Sequence, residues 1–236
     1  WEQYSSDGIL NVQSIHGNIV LSNNRSRPAM PNNRHHVLLL SGGPIHDTAP
    51  TAPIVEGVIA RHFQVEHIHD PGDLIQLAEG TFAAVVLFYT RLELSDEVFT
   101  TLKGFVESGG GLLAIHGATA FKGQDHLAEL IGCRFANHGP VHEFTVTPSD
   151  PDHPVVAGTA PFSVMDELYT VERFSDFDTF ATANWEGVDH PMGYQKPVGR
   201  GRVLFLANGH DLRAIENPQV QRMIERATQV AAGQRP

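Results

Sequence analysis

Short unbroken apolar runs constrain this chain more than any other feature. Val37–Leu40 stops at Ser41-Gly42-Gly43, residues 83–89 (AAVVLFY) form a second run, Leu112–Ile115 stops at His116-Gly117-Ala118, and Val203–Ala207 stops at Asn208-Gly209-His210. Such runs lack the apolar–polar alternation of a strand with one wet face, so they read as strands buried on both faces of a parallel sheet. Helical patterns fill the intervals. Residues 53–63 set Val55, Val58, Ile59 and Phe63 at helical spacing, and Gln64–His69 follows as a further short strand. Ser95 can cap a helix whose first turn carries Asp96 and Glu97, whose apolar stripe is Phe99, Leu102, Phe105 and Val106, and which Gly109-Gly110-Gly111 stops. Gly104 within it costs about 1 kcal/mol against Ala without overturning the pattern. The last helix is capped by Asn217, starts at Pro218, buries Val220, Met223, Ile224, Ala227 and Val230, and ends at Gly233. Repeated β-α-β spacing predicts an α/β fold, a mostly parallel sheet with helices on both faces.

The middle of the chain is less regular. A helix over Asp125–Ile131 precedes Phe135-Ala136-Asn137-His138-Gly139-Pro140, Val141–Thr147 alternates like an edge or antiparallel strand, and 162–174 and 178–183 supply further short elements. One domain is expected over residues 30–236, without internal repeats. Residues 1–29 are rich in Asn and Ser and stand apart as a leader or an extension, either non-native or native.

Composition removes several function classes. A formal charge of −11 argues against nucleic acid, no apolar run reaches the ~18–20 residues of a membrane span, and 41% hydrophobic content argues against disorder. The lone Cys133 leaves no intrachain disulfide, so a cytoplasmic location is expected. Histidine is in excess, with 14 copies against three lysines.

The positions of those histidines carry the functional reading. His46, His116 and His210 each lie just past the C-terminal end of an expected parallel strand, where ligands bind in open α/β sheets. A single histidine in such a place is most often a hydrogen-bonded loop residue; three on one rim point to a shared site. His138 and His142, in the irregular middle, and the pair Asp166-Glu167 are added to it. The alternatives stay open here: Gly139-Pro140 prevents His138 and His142 from sharing a helical face, one of them can pack beside Phe144, and Asp166-Glu167 can be an ordinary solvated pair. His62, His67, His69, His126, His153 and His190 read as surface or turn residues. Imidazole with carboxylate suits zinc, manganese or iron, and imidazole equally serves as a general base. No zinc-finger or HExxH spacing is present.

Competing chemistries fail on single residues. The turn at Ala114–Ala118 looks like a nucleophile elbow, but it carries His116 rather than Ser or Cys. Cys133 is away from it. Gly42-Gly43 lacks the remainder of a dinucleotide fingerprint, and Pro44 removes an amide that would hold phosphate.

The segments Gly-Gly-Gly-Leu-Leu-Ala-Ile-His-Gly-Ala (109–118), Gly-Cys-Arg-Phe-Ala-Asn-His (132–138), Asp-Glu-Leu-Tyr (166–169) and Gly-Arg-Gly-Arg-Val-Leu-Phe-Leu-Ala-Asn-Gly-His (199–210) together resemble the trehalose-utilisation (ThuA-like) family. Ser41–Asp47 is similar to that family's first loop. The resemblance runs from Val37 to the final helix. It implies a flavodoxin-like three-layer αβα fold, shared with class I glutamine amidotransferases, whose nucleophile position is altered. It also implies sugar metabolism linked to sugar oxidoreductases that make 3-keto glycosides.

Residues and resemblance join in one expectation. A ketone at carbon 3 of a sugar acidifies the hydrogen at carbon 2, and a divalent metal would stabilise the developing charge. His46, His116, His138 and His210 are the candidate ligands; His116, Glu167 and His138 are the candidate catalytic groups, with His116 open to either role. Tyr169 and Asp211 are candidates to orient an imidazole and, with Trp185 and His142, to contact substrate. The outcome is cleavage or isomerisation of a small-molecule sugar, without organic cofactor, nucleic acid or membrane; self-association stays open. The competing reading is a non-catalytic carbohydrate-binding or sensor module in the same crevice.

Overall fold

A computed structural model describes residues 36–236. The leader or extension expected over 1–29 lies outside the described residues.

The apolar runs become the parallel half of a nine-stranded sheet. In chain order the elements are β1 (His36–Gly42), α1 (Ala52–Ile59), β2 (Gln64–Ile68), a 3-10 segment (Pro71–Glu79), β3 (Ala84–Tyr89), α2 (Asp96–Glu107), β4 (Gly111–Ile115), a 3-10 turn (His116–Thr119), α3 (Asp125–Ile131), β5 (Cys133–His138), β6 (His142–Pro148), β7 (Phe162–Asp166), β8 (Tyr169–Arg173), β9 (Asp178–Trp185), β10 (Val188–Val198), β11 (Gly201–Leu206), α4 (Leu212–Ile215) and α5 (Pro218–Ala231). The sheet order is β2-β1-β3-β4-β11-β10-β9-β6-β7, and β5 pairs with β8 in a separate ribbon. The first five strands pair in parallel. Their order, with β1 flanked by β2 and β3, is the doubly wound flavodoxin-like arrangement expected above. Val37–Leu40, Val85–Leu87, Leu112–Ile115 and Val203–Phe205 are fully buried, as strands covered on both faces require.

Local signals in the sequence are realised in the helices. The Ser95 hydroxyl accepts from the Val98 amide at 3.3 Å, and α2 buries Val98, Leu102 and Val106 while Phe99 and Phe105 pack partly exposed on the core. Asn217 accepts from the Gln219 amide at 2.9 Å, and α5 buries every residue of the stripe read above. Helix α5 packs beside α1, and α2 packs against the 3-10 segment.

The remaining strands form an antiparallel wing, β10, β9, β6 and β7. Strand β10 has no counterpart in the sequence reading because Pro191 and Pro197 interrupt its pattern. A ladder tolerates proline at irregularities, and the β9–β10 register shifts between Pro191 and Gly193 and again before Tyr194. No helix among the described residues is long and apolar enough to cross a membrane.

Two glycines separate helix propensity from packing. A Cβ on Gly104 meets nothing within 4 Å, so Gly104→Ala is expected to raise the unfolding free energy by about 0.5–1 kcal/mol. A Cβ on Gly111 would stand 2.1 Å from the Ala231 carbonyl oxygen, so Gly111→Ala is expected to lower it by at least about 1–3 kcal/mol. Urea unfolding of both variants checks the two signs.

Candidate functional site

Parallel strands deliver their C-terminal ends to one rim, and the loops after them carry the candidate side chains. His46 follows β1, Thr90 follows β3, His116 follows β4, and His210 follows β11. Two of these loops are tied directly: the Thr90 hydroxyl accepts from the amides of Ile45 and His46 at 3.2 and 3.4 Å. His116 occupies the elbow in a left-handed conformation, φ +48°, which strains a non-glycine residue. Its ring is locked by a 2.7 Å hydrogen bond from Nδ1 to the Ala207 carbonyl.

The fourth group comes from outside the parallel half. Strand β7, at the far edge of the wing, ends at Asp166; Glu167 follows, and β8 starts at Tyr169. Asp166 is fully buried and its two oxygens accept from the Glu167 amide at 2.8 Å, the Gly209 amide at 2.9 Å, the Asn208 side chain at 3.1 Å and the His210 amide at 3.2 Å. One carboxylate therefore ties the β7–β8 junction to the loop after β11.

The result is a tight group. One ligand-type atom from each of His46, His116, Glu167 and His210 lies within 4.8 Å of the others. Glu167 Oε2 is 3.2 Å from His210 Nδ1 and 3.5 Å from His116 Nε2. Ring centroids are 5.2 Å apart for His46 and His116, and 4.7 Å for His46 and His210. Three of the atoms facing one another, His116 Nε2, Glu167 Oε2 and His210 Nδ1, are buried without a hydrogen-bond partner. A carbonyl only accepts, so Nδ1 of His116 carries a proton and Nε2 is the ring atom turned to the cluster. Buried polar atoms left unpaired are costly and rare, and three converging ones could be satisfied together by a cation.

Electrostatics favour the same ligand. Burial, helped by His116 and His210, lowers the pKa of His46 to about 4, which leaves its imidazole neutral and able to donate a lone pair near neutral pH. Burial opposes ionisation of Glu167, but the imidazoles of His116, His210 and His138 outweigh it and hold the carboxyl below its ordinary value. Three imidazoles, that of His46 neutral, around an ionised carboxylate are a set of side chains that could hold zinc, manganese or iron.

A cavity of about 580 Å³ opens beside the cluster, lined in part by His46, His138 and Tyr169. The Tyr169 ring lies 3.9 Å from that of His116, centroid to centroid. His138 reaches the other oxygen of Glu167, with Nδ1 3.4 Å from Oε1. That same Nδ1 is 2.7 Å from the Gly139 carbonyl and so carries the proton. His138 is not one of the four residues whose ligand-type atoms converge, and its Nε2 has no protein partner among the described residues.

Other sequence candidates are placed apart. Asp211 caps α4 through the Arg213 amide and pairs with the Arg213 guanidinium, so it is engaged there rather than orienting an imidazole. His142 donates to the Pro140 carbonyl at 2.8 Å and packs near Phe144, and Trp185 at the end of β9 neighbours His142; neither lines the cavity. His67 is not a surface residue but a partly buried member of β2, held between Ser41 at 2.7 Å and Glu56 at 2.9 Å. Cys133 is buried, with its thiol pushed up to about 12 by desolvation, which suits an inert side chain. Thr90 had no signal in the sequence; the position of Asp166 beside Glu167 was the one available clue to its role.

A family model described as trehalose utilisation matches residues 36–231. No curated protein sequence matches the chain. Among solved structures, a protein described as ThuA-like from Parabacteroides merdae is 20% identical with TM-score 0.76, over 85% of this chain and 91% of that one. A second, from Bacteroides uniformis, is 13% identical with TM-score 0.70, over 84% and 91%. A β-galactosidase from Bacillus circulans matches at 13% identity and TM-score 0.63, over 86% of this chain but 32% of its own length. At these identities the likeness is one of fold.

The Asp166 hub is open to a direct test. Asparagine keeps the shape but turns an amide group toward N–H donors, so Asp166→Asn is expected to cost about 2–4 kcal/mol of stability. Guanidinium unfolding measures it, and an unchanged midpoint would refute the role given to this carboxylate.

Proposed function

The chain belongs to the trehalose-utilisation family, and on that premise we propose that it is a sugar-metabolism enzyme acting on an oxidised (3-keto) glycoside or related sugar by metal-assisted proton abstraction. His46, His116, Glu167 and His210 would hold one divalent cation, zinc, manganese or iron. The carrying observation is the convergence of His116 Nε2, Glu167 Oε2 and His210 Nδ1 as buried atoms without hydrogen-bond partners. When bound, such a cation supplies Lewis-acid stabilisation of negative charge on a ketone oxygen.

The chain's own residues supply the rest. His138 lines the cavity with Nδ1 committed to Gly139, which leaves Nε2 as the atom that would take the acidified hydrogen at carbon 2. Loss of that proton leaves an enolate. Expulsion of the carbon 1 substituent, which departs with the electron pair and takes up a proton, cleaves the glycoside; reprotonation of the enolate instead isomerises the sugar. Tyr169 holds the His116 ring from one side, and the Ala207 carbonyl fixes its tautomer. The reaction is assigned to the cytoplasm, in keeping with the buried free thiol of Cys133. A pathway link to the oxidoreductase that forms the ketone belongs to the same proposal.

Elemental analysis of the purified chain should find about one transition metal per molecule, lost in His116→Ala/His210→Ala. With that metal present, NMR of a panel of 3-keto glycosides should show consumption, and His138→Ala should slow it by about 10²–10⁴-fold while retaining the metal. Unchanged substrates across the metal-loaded panel would overturn the keto-sugar reaction. Absence of metal, with sugar affinity undiminished in the double variant, would favour the binding module instead.

A further inference from the structure

The cavity beside the histidine cluster has a charge that the chain as a whole does not. The sequence carries −11, which repels anions. Yet Arg91, Lys122 and Arg134 all line this one cavity, together with His46 and His138, and its lining contains no carboxylate. The three cations are not equivalent. Arg134 is spent on structure: it binds Asp125 at 2.7 Å and Glu172 at 2.8 Å, and its guanidinium lies 4.7 Å from the Phe174 ring centroid. Arg91 and Lys122 make no ion pair and no side-chain hydrogen bond among the described residues. Glu93, which shares an adjoining groove with both, pairs with neither.

These two charges are presented by a built platform. The Arg91 amide donates to the Ala120 carbonyl at 3.1 Å, which joins the loop after β3 to the segment that carries Lys122. Gln124 laces the same two segments twice more, accepting from the Leu94 amide at 3.0 Å and donating to the Leu92 carbonyl at 2.7 Å. Leu92 is fully buried beneath them. Arg91 itself sits at φ +53°, a left-handed conformation that strains a non-glycine residue and that this lacing maintains. Glu186 has the same φ in the turn between β9 and β10, so what singles out Arg91 is strain joined to a place in the cavity lining with no ion pair or side-chain hydrogen bond among the described residues.

We propose that Arg91 and Lys122 form a subsite for an anionic group on the substrate, so that the preferred sugar carries a carboxylate or a phosphate. This rests on the sugar reading above and narrows it to acidic sugars. Arginine suits such a group because its planar fork pairs with two oxygens at once, and lysine adds a point charge. A neutral sugar would leave both cations unmatched.

Calorimetric titration of the full chain with glucose, glucuronate, glucose 6-phosphate and inorganic phosphate tests this. One or both acidic sugars should bind about tenfold or more tightly than glucose at low salt, since a hydrogen bond to a charged group is worth that much. The ratio should fall towards one in Arg91→Gln/Lys122→Gln, whose melting temperature verifies folding, and should also shrink with added salt. A preference for glucuronate alone assigns a carboxylate, and one for glucose 6-phosphate alone assigns a phosphate ester. Equal affinities for all three sugars, or a preference that survives in the variant, overturns the subsite while leaving the sugar reading in place. Binding of inorganic phosphate that the variant loses, with no sugar binding at all, keeps the subsite and overturns the sugar reading. Failure of all four probes to bind overturns the subsite.

Discussion

Asp166, a carboxylate with no exposed surface, accepts from the amides of Glu167, Gly209 and His210 and from the Asn208 side chain, and this clamp makes the site possible. Glu167 belongs to an excursion that leaves the sheet at its far edge, whereas His210 belongs to the loop after a central strand. Without a shared anchor, nothing in the sheet ladder would set the distance between them. A buried carboxylate that satisfies several donors does so, because each donor would be expensive to leave unmade.

Around that clamp the structure tolerates what a purely structural rim would avoid. His116 is held in a left-handed conformation, and its Nε2 faces Glu167 Oε2 and His210 Nδ1 with none of the three hydrogen-bonded. Arg91 is strained as well. Both strained residues follow central parallel strands, and the core behind them is fully buried. Among the described residues, two of the three left-handed non-glycine residues and four of the six buried unpaired side-chain atoms lie at this rim, with Glu186, Thr159 and Gln219 the exceptions, a bias expected where function opposes stability. Burial also decides protonation. It drives His46 neutral, while the imidazoles around Glu167 favour its charge, so the cluster sets at least one neutral imidazole beside an anion.

Much of the fold was legible in the residues. Continuous apolar runs named the parallel strands, Ser95 and Asn217 marked helix starts, and the stripe of α5 was read residue by residue. His46, His116 and His210 were legible for the same reason: strand polarity alone puts residues that follow parallel strands on one rim. Strand β10 was hidden because Pro191 and Pro197 look like loop residues and its pairing depends on bulges. His67 was misread because its partners, Ser41 and Glu56, lie on other elements. Arg91 and Lys122 carry no pattern at all, since what unites them is a backbone bond between two loops.

The chain's local chemistry therefore determined the elements, the parallel order of polarity and the rim on which three imidazoles gather. Tertiary structure decided the rest: that Glu167 completes the group, that Asp166 is its anchor, that His138 meets the outer oxygen of Glu167, and that Asp211 is drawn away by Arg213. The reason is physical. Periodicity and capping act over a few neighbouring residues, whereas the meeting of the β7–β8 junction with the loop after β11 is written in long-range hydrogen bonds that no spacing along the chain encodes.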